Sequence, residues 1–538
     1  MKAEDEWWRG CVIYQVYPRS FQDTTGDGVG DLAGVTRRLA YIASLGVDVV
    51  WLSPFFKSPM ADMGYDVEDF CAVDPMFGTM DDFDRLIAEA HRLGLKVIID
   101  QVLSHVSERH AWFVESRRDR ANPKADWFVW AEPKKDGTPP NNWLSVFGGS
   151  AWEWDGTRRQ YYLHNFLASQ PDLNFHNTDV QDAVLETVRF WLERGVDGFR
   201  LDAVNYYFHD RRLRDNPPLR RIKGNDVPET NPYGYQDHVH DKSQPENIAF
   251  LRRFRALLKE YGAHAAVGEV GDGDRSLKTV AEYTAGSDLL QMCYTFDLLG
   301  PEFSAAHLRK CIEGFETTVR DGWVCWSLSN HDVPRHPTRL TKKNGDPDRT
   351  ARFAILLLAA LRGSICLYQG EELGLEEAEI AYEDLRDPYG IRFWPAFKGR
   401  DGCRTPMVWN HDAANAGFTA GRPWLPIPAA HAAAAVDVQE RDGGSVLAWY
   451  RRVLELRQES EALRAGTLRF LPSSADVLLF ERRSGDDAIL CGFNFADQEA
   501  RVRRPAGAEA ILLSVGEHSI GAKTLTLAGR SAVVARIA

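Results

Sequence analysis

Acidic, imidazole and guanidinium side chains follow several short apolar runs of this sequence, at the places where β-strands would end. Carboxyl groups can serve as general acid, general base or nucleophile, so several of them in one cavity fit chemistry such as glycoside hydrolysis. Retaining hydrolysis requires one ionised carboxylate that attacks the sugar carbon and one protonated carboxyl that releases the leaving group. The candidate residues are Asp100, His105, Arg200, Asp202, Glu269, Asn330, His331 and Asp332.

Any one of these residues could instead be a solvated strand end or could pair with a neighbour. The set is more informative, because the sequence has no Cys/His cluster and no glycine-rich phosphate loop. Acid/base and nucleophilic carboxylate chemistry fits that pattern, and we expect no organic cofactor. The sequence pattern alone does not assign a role to each acid.

The elements that must position these residues are eight short apolar runs that alternate with longer stretches of helical periodicity. This alternation predicts parallel βα units, and eight of them predict a closed (β/α)8 barrel of the α/β class. In such a barrel the active site lies at the carboxyl ends of the strands, so the candidate side chains should point into one cavity. The runs are 12–17, 47–52, 96–102, 198–202, 265–269, 291–296, 324–329 and 364–369.

Two gaps between the runs are too long for ordinary βα loops. Residues 105–174 are rich in Trp, Tyr, Pro and Gly and predict a small inserted subdomain after the third strand, whereas residues 208–246 predict a loop over the barrel mouth. Beyond a helix that ends near Glu461, short strands predict a C-terminal antiparallel β-sandwich in residues 462–538. The catalytic barrel would then comprise residues 1–104 and 175–461.

The charge balance limits the partners of this chain. It has 64 Lys and Arg against 77 Asp and Glu, a net charge of −13, and no long basic block, so nucleic-acid binding is disfavoured. The longest apolar run, 353–361, is far shorter than the roughly 18 residues of a membrane span, and we expect no membrane insertion. An acidic amino-terminal segment and eight cysteines without paired spacing predict a cytoplasmic protein with reduced thiols, either a monomer or a homodimer.

Four motifs, in this order and spacing, resemble the α-amylase family of glycoside hydrolases, and within it the α-glucosidase and oligo-1,6-glucosidase branch. They are Asp-Gln-Val-Leu-Ser-His (100–105), Gly-Phe-Arg-Leu-Asp (198–202), Gly-Glu-Val (268–270) and Ser-Asn-His-Asp (329–332). The opening segment 7–21 and Gln-Pro-Asp-Leu-Asn-Phe (170–175) are similar to the exo-acting branch rather than to true amylases. The resemblance extends over nearly the whole chain.

The resemblance implies a role for each catalytic acid. Asp202 would be the nucleophile, Glu269 the general acid/base, and Asp332 would stabilise the transition state. Arg200 would keep Asp202 ionised, since a cation within about 4–6 Å lowers the pKa of an acid by one to three units. His105 and His331 would donate hydrogen bonds to sugar hydroxyls.

The same resemblance implies a pocket with a closed end. Asp62 and Arg400 would bind the 4-hydroxyl and neighbouring hydroxyls of a terminal glucose, and Tyr65 would stack on its ring. Without the resemblance, Asp62 and Arg400 would each be interpreted as a surface residue. Phe166 would line the entrance, although an aromatic residue of the insert could equally belong to the core of that subdomain.

The segment 23–31 has oxygen-bearing side chains at alternate positions, as a hard-cation loop requires. Related enzymes hold calcium or magnesium here, so the resemblance implies a structural cation. Position twelve of this loop is Gly34 instead of the usual Glu, and a bare Gly-Asp turn is the alternative. The implied ligands are Asp23, Thr25, Asp27, the Val29 carbonyl and Asp31.

These implications favour a retaining, exo-acting α-glucosidase that removes terminal α-1,4-linked glucose from maltose-like short saccharides, with transglucosylation left open. The alternatives are an isomerase or a sucrose-cleaving enzyme of the same family. From another class, the alternative is a catalytically inactive barrel that serves as a binding or transporter subunit. The linkage preference rests on Ala203, because relatives that prefer α-1,6 bonds have Val after the nucleophile. The alternative interpretation of Ala203 is tight strand packing.

Overall fold

The computed structural model describes residues 6–219, 227–262, 264–319, 322–343 and 345–537, and its centre is a barrel of eight parallel strands. The strands follow one another around the barrel in chain order, and the first pairs with both the second and the eighth. A parallel bridge between Cys293 and Val324 joins the sixth and seventh strands and closes the ring. Each strand overlaps one predicted run, so the predicted (β/α)8 barrel is confirmed. The strands are Val12–Val16, Val49–Leu52, Lys96–Gln101, Gly198–Leu201, Ala265–Val270, Met292–Thr295, Cys325–Ser327 and Ser364–Tyr368.

A helix follows each barrel strand, and strands such as Val12–Val16 are buried along their whole length. Burial on both faces is why the strands are continuous apolar runs and do not alternate with polar residues. Several helices begin at polar caps: Asp31 accepts a hydrogen bond from the Gly34 N–H, and Thr79 forms a capping box with Asp82. These eight helices are Leu32–Ser44, Met80–Arg92, Thr178–Glu193, Asn247–Glu260, Ser276–Tyr283, Ala305–Thr318, Pro347–Ala360 and Val446–Glu459.

The insert lies after the third strand, where the sequence predicted it. It contains the helix Ala111–Ser116 and a three-stranded antiparallel sheet of Trp130–Ala131, Trp152–Asp155 and Gln160–Leu163. Trp143 and Trp152 stack in a small core of its own, with ring centroids 5.8 Å apart. A bridge between His105 and Asp172 brings the two ends of the insert together beside the barrel mouth.

The predicted mouth loop includes the short 3-10 helix Pro232–Tyr235, and its residues 220–226 lie outside the described residues. The Asn231 side-chain amide donates to the Val146 carbonyl of the insert (2.7 Å) and to the Tyr389 hydroxyl (3.1 Å). The loop therefore joins the insert to the segment that follows the eighth strand. Smaller elements are the strand pair Phe56–Lys57 and Asp69–Val73, and the helices His336–Leu340, Pro388–Phe393, Ala429–Ala433, Val436–Gln439 and Glu461–Arg464.

The C-terminal region consists of two antiparallel sheets with a shared apolar interior. Leu479, Leu490 and Val533 of the larger sheet pack with Leu525 and Leu527 of the smaller one. The predicted β-sandwich is therefore confirmed. The larger sheet contains Thr467–Phe470, Val477–Ser484, Asp487–Asn494, Ala532–Ile537 and Ala508–Val515, and the smaller contains Ala500–Arg503, Thr524–Leu527 and His518–Ile520.

Two buried arginines connect the barrel to this sandwich. Arg457, on the last barrel helix, donates to the Ala359 carbonyl (2.7 Å) and the Gly363 carbonyl (2.6 Å). Arg482, on a sandwich strand, donates to the Ala360 carbonyl (2.6 Å). Both guanidinium groups thus bind carbonyls at the end of helix Pro347–Ala360, where a helix carries partial negative charge.

Among the described residues, no helix is long and apolar enough to cross a membrane. The eight cysteines are unpaired, and seven of them are buried.

Candidate active site

The parallel register of the barrel brings the candidate residues to one mouth. Asp100 on the third strand is the register partner of Arg200 on the fourth, and Glu269 on the fifth is the partner of Tyr294 on the sixth. Asp202 lies one residue beyond the end of the fourth strand, on the same side as Arg200. The sequence prediction that these side chains share one cavity follows directly from this register.

One guanidinium group holds three carboxylates at the mouth. Arg200 Nη1 lies 2.8 Å from Asp100 Oδ1 and 2.6 Å from Asp202 Oδ1, and Nη2 lies 2.6 Å from Glu269 Oε1. The Arg200 side chain is only 1% exposed. We call these four residues the proton-sharing cluster, because one cation cannot balance three ionised acids.

The charges in this cluster set its proton content. Burial raises the pKa of Asp202 well above its usual value, and the lowering effect of Arg200 does not offset burial together with the nearby Glu269 and Asp100 carboxylates. For the same reasons the pKa of Asp100 rises to about 6. Arg200 thus lowers the pKa of Asp202, in the expected direction, but burial outweighs this effect. Asp100 and Asp202 share the Arg200 guanidinium, so their carboxyl groups titrate together.

The Glu269 carboxyl is held at both oxygens. The Tyr294 hydroxyl lies 2.7 Å from Oε1, and the Ala203 backbone N–H donates to Oε2 over 3.0 Å. Ala203 has a φ of +41° and a ψ of +45°, a left-handed conformation that non-glycine residues seldom adopt. The turn after the nucleophile therefore aims a backbone donor at the second catalytic acid.

Asp332 lies among cations on the opposite side of the mouth. Its Oδ1 is 3.2 Å from Arg400 Nη1 and 3.0 Å from Arg404 Nη2, and its Oδ2 is 3.2 Å from His331 Nε2. Burial by itself would raise the pKa of Asp332, but His331 and the two arginines outweigh burial and hold it below the usual range. This carboxylate is therefore a permanent negative charge.

Arg400 also binds the acids that close the pocket. Its Nη2 lies 2.8 Å from Asp62 Oδ1 and 2.7 Å from Asp387 Oδ1. Burial would raise the pKa of Asp387, yet Arg400 lowers it to about 2, whereas burial prevails at Asp62 and raises its pKa to about 6. We call Asp62, Asp332, Asp387, Arg400 and Arg404 the floor cluster. The two residues that the resemblance assigned to the closed end, Asp62 and Arg400, are thus brought together.

Aromatic and imidazole side chains lie between the two clusters. The Tyr65 ring is parallel to the His331 ring at 5.2 Å, and its hydroxyl donates to Asp100 Oδ2 over 3.0 Å. His105 Nε2 lies 2.9 Å from the Tyr65 carbonyl, and the Phe166 ring packs 5.0 Å from the His105 ring. The predicted sugar contacts of His105, His331, Tyr65 and Phe166 remain predictions, while the structure places all four beside the carboxylates.

Sequence reasoning missed four polar residues of the site. Tyr294 lies inside the sixth apolar run, and its register opposite Glu269 could have identified it. Gln170 lies inside the motif 170–175, and its Nε2 lies 3.2 Å from Asp62 Oδ2, whereas Arg404 lies four residues after the predicted Arg400. Asp387 lies in an irregular segment that had no distinguishing pattern.

The loop 23–31 forms a network of hydrogen bonds with itself. Asp23 accepts from the N–H groups of Thr25 (2.7 Å), Gly26 (2.8 Å) and Gly28 (2.9 Å), and Asp31 accepts from Thr24 N–H (2.7 Å). Among the described residues, no three Asp, Glu, His or Cys side chains converge as metal ligands do. The oxygen donors suit a hard cation chemically, but the carboxylates would have to turn toward it, so the predicted cation stays a prediction.

Comparison with known proteins places this geometry in a family. The alpha amylase catalytic domain family matches residues 15–466. A probable alpha-glucosidase of Rhizobium meliloti (strain 1021) is 57% identical over 94% of this chain and 92% of its own length. An oligo-1,6-glucosidase of Heyndrickxia coagulans is 34% identical over 97% of each chain.

Two solved structures are similar over nearly the whole molecule. An alpha-glucosyl transfer enzyme has a TM-score of 0.96 and 56% identity, and covers 99% of each chain. The trehalulose synthase of Pseudomonas mesoacidophila MX-45 has a TM-score of 0.89 and 31% identity, again over 99% of each chain. The predicted family is confirmed: the chain belongs to the α-amylase family of glycoside hydrolases, as an enzyme of the α-glucosidase type.

Proposed function

We propose that this enzyme is a retaining, exo-acting α-glucosidase that hydrolyses terminal α-1,4-linked glucose from maltose-like short saccharides. The Asp202 carboxylate attacks the anomeric carbon while Glu269 gives its proton to the glycosidic oxygen, so a carbon–carboxylate bond forms as the carbon–oxygen bond breaks. Water, deprotonated by Glu269, then displaces Asp202 and restores both carboxyl groups. The two inversions give net retention.

The shared guanidinium supports the retaining route. Asp202 and Glu269 each lie 2.6 Å from a terminal nitrogen of Arg200, which favours a short spacing between the two carboxyl groups. Retaining enzymes need about 5–5.5 Å, whereas inverting enzymes leave room for a water at roughly 6.5–9.5 Å.

The Arg400–Asp62 ion pair is the observation that carries the exo-acting assignment. Arg400 of this pair also contacts Asp332, and both partners are nearly buried, with side chains 11% and 6% exposed. A long glucan could not pass through a wall built from buried, paired charges. A terminal glucose, whose hydroxyls can both donate and accept, would fit against it.

Ala203 supports the α-1,4 preference. Its N–H donates to Glu269 over 3.0 Å, so Ala203 adjoins the carboxyl that would protonate the leaving group. A small residue there leaves room for the ring of a 4-linked acceptor, and a branched one would fill that space. One or two methyl groups in a pocket discriminate by roughly 1–3 kcal/mol, so the preference should be about tenfold or more.

Glucosyl transfer is the second candidate, because an alpha-glucosyl transfer enzyme is 56% identical over nearly the whole chain. Transfer differs from hydrolysis only in the acceptor that attacks the glycosyl-enzyme. A trehalulose synthase is a more distant relative, at 31% identity. A catalytically inactive binding protein is disfavoured, since Asp202, Glu269 and Asp332 all lie in one hydrogen-bonded site.

Proton NMR of the first minutes of maltose hydrolysis tests the proposal. We expect α-glucose to appear before β-glucose, and we expect maltose to be cleaved faster than isomaltose, sucrose, trehalose and starch. Initial β-glucose would overturn the retaining assignment, and efficient starch cleavage would overturn the closed pocket. A disaccharide product that dominates over glucose would favour transfer or isomerisation.

We further propose that the enzyme acts on small saccharides in the cytoplasm, as a monomer or homodimer. Seven of its eight unpaired thiols are buried, as suits a reducing compartment.

A further inference from the structure

A buried lysine of the mouth loop links three loops of the barrel mouth. Lys242 is 6% exposed, and its Nζ donates to the Gly271 carbonyl (2.8 Å) and to the hydroxyls of Tyr206 (3.0 Å) and Tyr233 (3.0 Å). Gly271 lies two residues after Glu269, and Tyr206 lies four residues after Asp202. The ammonium group therefore contacts the segments that follow both the acid/base and the nucleophile.

Asn205 completes this junction. Its side-chain amide donates to the Gly271 carbonyl (3.2 Å) and accepts from the Gly271 N–H (3.3 Å). The Asn205 carbonyl in turn accepts from the Ser243 N–H over 2.6 Å, and Ser243 has a left-handed φ of +56°. A strained residue persists only where its surroundings hold it, so this corner of the mouth loop is fixed against the nucleophile segment.

The junction also supports one wall of the pocket. The Tyr206 ring packs 5.3 Å from the Phe166 ring, and Phe166 packs on His105. The Tyr206 and Tyr233 hydroxyls lie 2.7 Å apart, both within reach of Lys242. The aromatic wall and the end of the fifth strand therefore share one buried cation.

We propose that Lys242 is a positioning residue for acid catalysis: through Gly271 it fixes Glu269 at the distance at which that carboxyl can protonate the leaving oxygen. Lys242 does not touch the substrate in this role. The proposal rests on the proposed function, in which Glu269 supplies that proton. Proton transfer by a well-placed acid contributes about 10²–10⁴-fold, and it depends on hydrogen-bond distance.

Two substrates separate this role from a merely structural one. The leaving alkoxide of maltose needs a proton, whereas fluoride leaves α-glucosyl fluoride without one. Lys242→Met keeps the length of the side chain and removes the charge, and we expect it to lower kcat/KM on maltose by about 10- to 100-fold. The loss on α-glucosyl fluoride should be less than threefold.

Arg275→Met is the matched control. Arg275 also anchors the mouth loop, through Asp237 (2.5 Å) and the His238 carbonyl (2.9 Å), and it reaches the segment after the fifth strand through the Asp272 carboxylate (3.2 Å) and not through the Gly271 backbone. We expect this variant to affect the two substrates equally. Tyr233→Phe, which removes one partner of Lys242, should show the selective loss in weaker form and is available if Lys242→Met does not fold.

The outcomes are separable. A wild-type enzyme that releases α-glucose from neither substrate would overturn the proposed function. A wild-type enzyme active on both, with equal losses in Lys242→Met and Tyr233→Phe or no loss in either, would overturn the positioning role of Lys242 alone. A selective loss on maltose that is absent in Arg275→Met would support it.

Discussion

The two charged clusters of this active site contain the same number of acids, but the pKa of a central acid shifts in opposite directions in the two. In the proton-sharing cluster one arginine faces three carboxyl groups, and the pKa of Asp202 rises well above its usual value. In the floor cluster two arginines face three carboxyl groups, and the pKa of Asp387 falls to about 2. Both of these acids are buried, so the cations and hydrogen bonds around each one account for the difference in pKa.

Asp62 sharpens this contrast. It belongs to the floor cluster, but its pKa rises to about 6, because burial outweighs the effect of Arg400 and Arg404. Asp332, which contacts both arginines and His331, remains ionised. Asp387, like Asp62, contacts one arginine, but it also accepts from the N–H groups of Arg400 (2.8 Å) and Tyr389 (3.1 Å). The outcome for each acid therefore depends on the cations and hydrogen-bond donors around it, and mutations can test this residue by residue.

The largest expected effect comes from exchanging an acid for its amide in each cluster. Asp202→Asn should lower kcat by about 10⁴-fold or more, because it removes the nucleophile. Its Tm should stay level or rise at neutral pH, since a raised pKa means that an ionised Asp202 costs stability once the pH exceeds its unfolded-state value. Kinetics on maltose and calorimetry measure both quantities.

Asp332→Asn is the matched variant and should behave differently in stability. A lowered pKa means that ionised Asp332 stabilises the fold above its unfolded-state pKa, and that this contribution is lost as the pH falls toward the folded-state pKa. We expect a loss of roughly 1–3 kcal/mol at pH 7, because two buried arginines lose a partner. Equal stability changes in the two variants would contradict the contrast between the clusters.

The second effect concerns the cation of the floor cluster. Arg400→Met leaves Asp62 and Asp387 without their common partner and a terminal glucose without a donor, so kcat/KM on maltose should fall by about two to three orders of magnitude. Arg404→Met, which removes a contact to Asp332 and leaves the Asp62–Arg400 pair in place, should cost less. Near-normal kcat/KM in Arg400→Met would refute the closed pocket.

A smaller effect is expected at Ala203, on the border of the proton-sharing cluster. Ala203→Val should lower the maltose-to-isomaltose ratio of kcat/KM by about tenfold. A branched side chain is strained at a φ of +41°, so we also expect a lower Tm. Ala203→Gly relieves the backbone strain at positive φ without adding bulk. It is the control and should not lower the maltose-to-isomaltose ratio of kcat/KM. An unchanged ratio in the Val variant, or a wild type that prefers isomaltose, would remove the linkage argument.

The smallest effect lies outside both clusters, in the loop 23–31. If the loop binds calcium or magnesium, EDTA should lower Tm by a few degrees, equivalent to about 1 kcal/mol, and either cation should restore it. Asp27→Asn should abolish the response of Tm to EDTA, because it removes one of the proposed ligands. Asp27 is exposed and has few other partners, so the substitution should have little other effect. A Tm that does not respond to EDTA in the wild type would favour the self-bonded turn.

The barrel and the catalytic acids could be predicted because their patterns are local and repeated. A buried parallel strand must be apolar along its whole length, so all eight runs were visible in the sequence. Asp202, Glu269 and Asp332 each follow such a run, and the register of the strands brings them together. Motif resemblance then assigned their roles.

The balance of charge could not be predicted, because it depends on distances between residues far apart in the chain. Asp387 meets Arg400 through an irregular segment, and Tyr294 meets Glu269 only through strand pairing. The left-handed turn at Ala203 was equally hidden, since alanine is not a residue that predicts positive φ. These contacts and this turn depend on which residues the fold brings together, and residue type alone does not reveal that.

The two arginines that join the barrel to the sandwich affect how the protein unfolds. Arg457 of the barrel and Arg482 of the sandwich both donate to carbonyls at the end of helix Pro347–Ala360, so removal of the sandwich would leave the Ala360 carbonyl without its Arg482 donor. The barrel and the sandwich are therefore not independently stable units on either side of residue 461. Calorimetry should record one cooperative melting peak for barrel and sandwich together, and a chain cut after residue 461 should fail to fold.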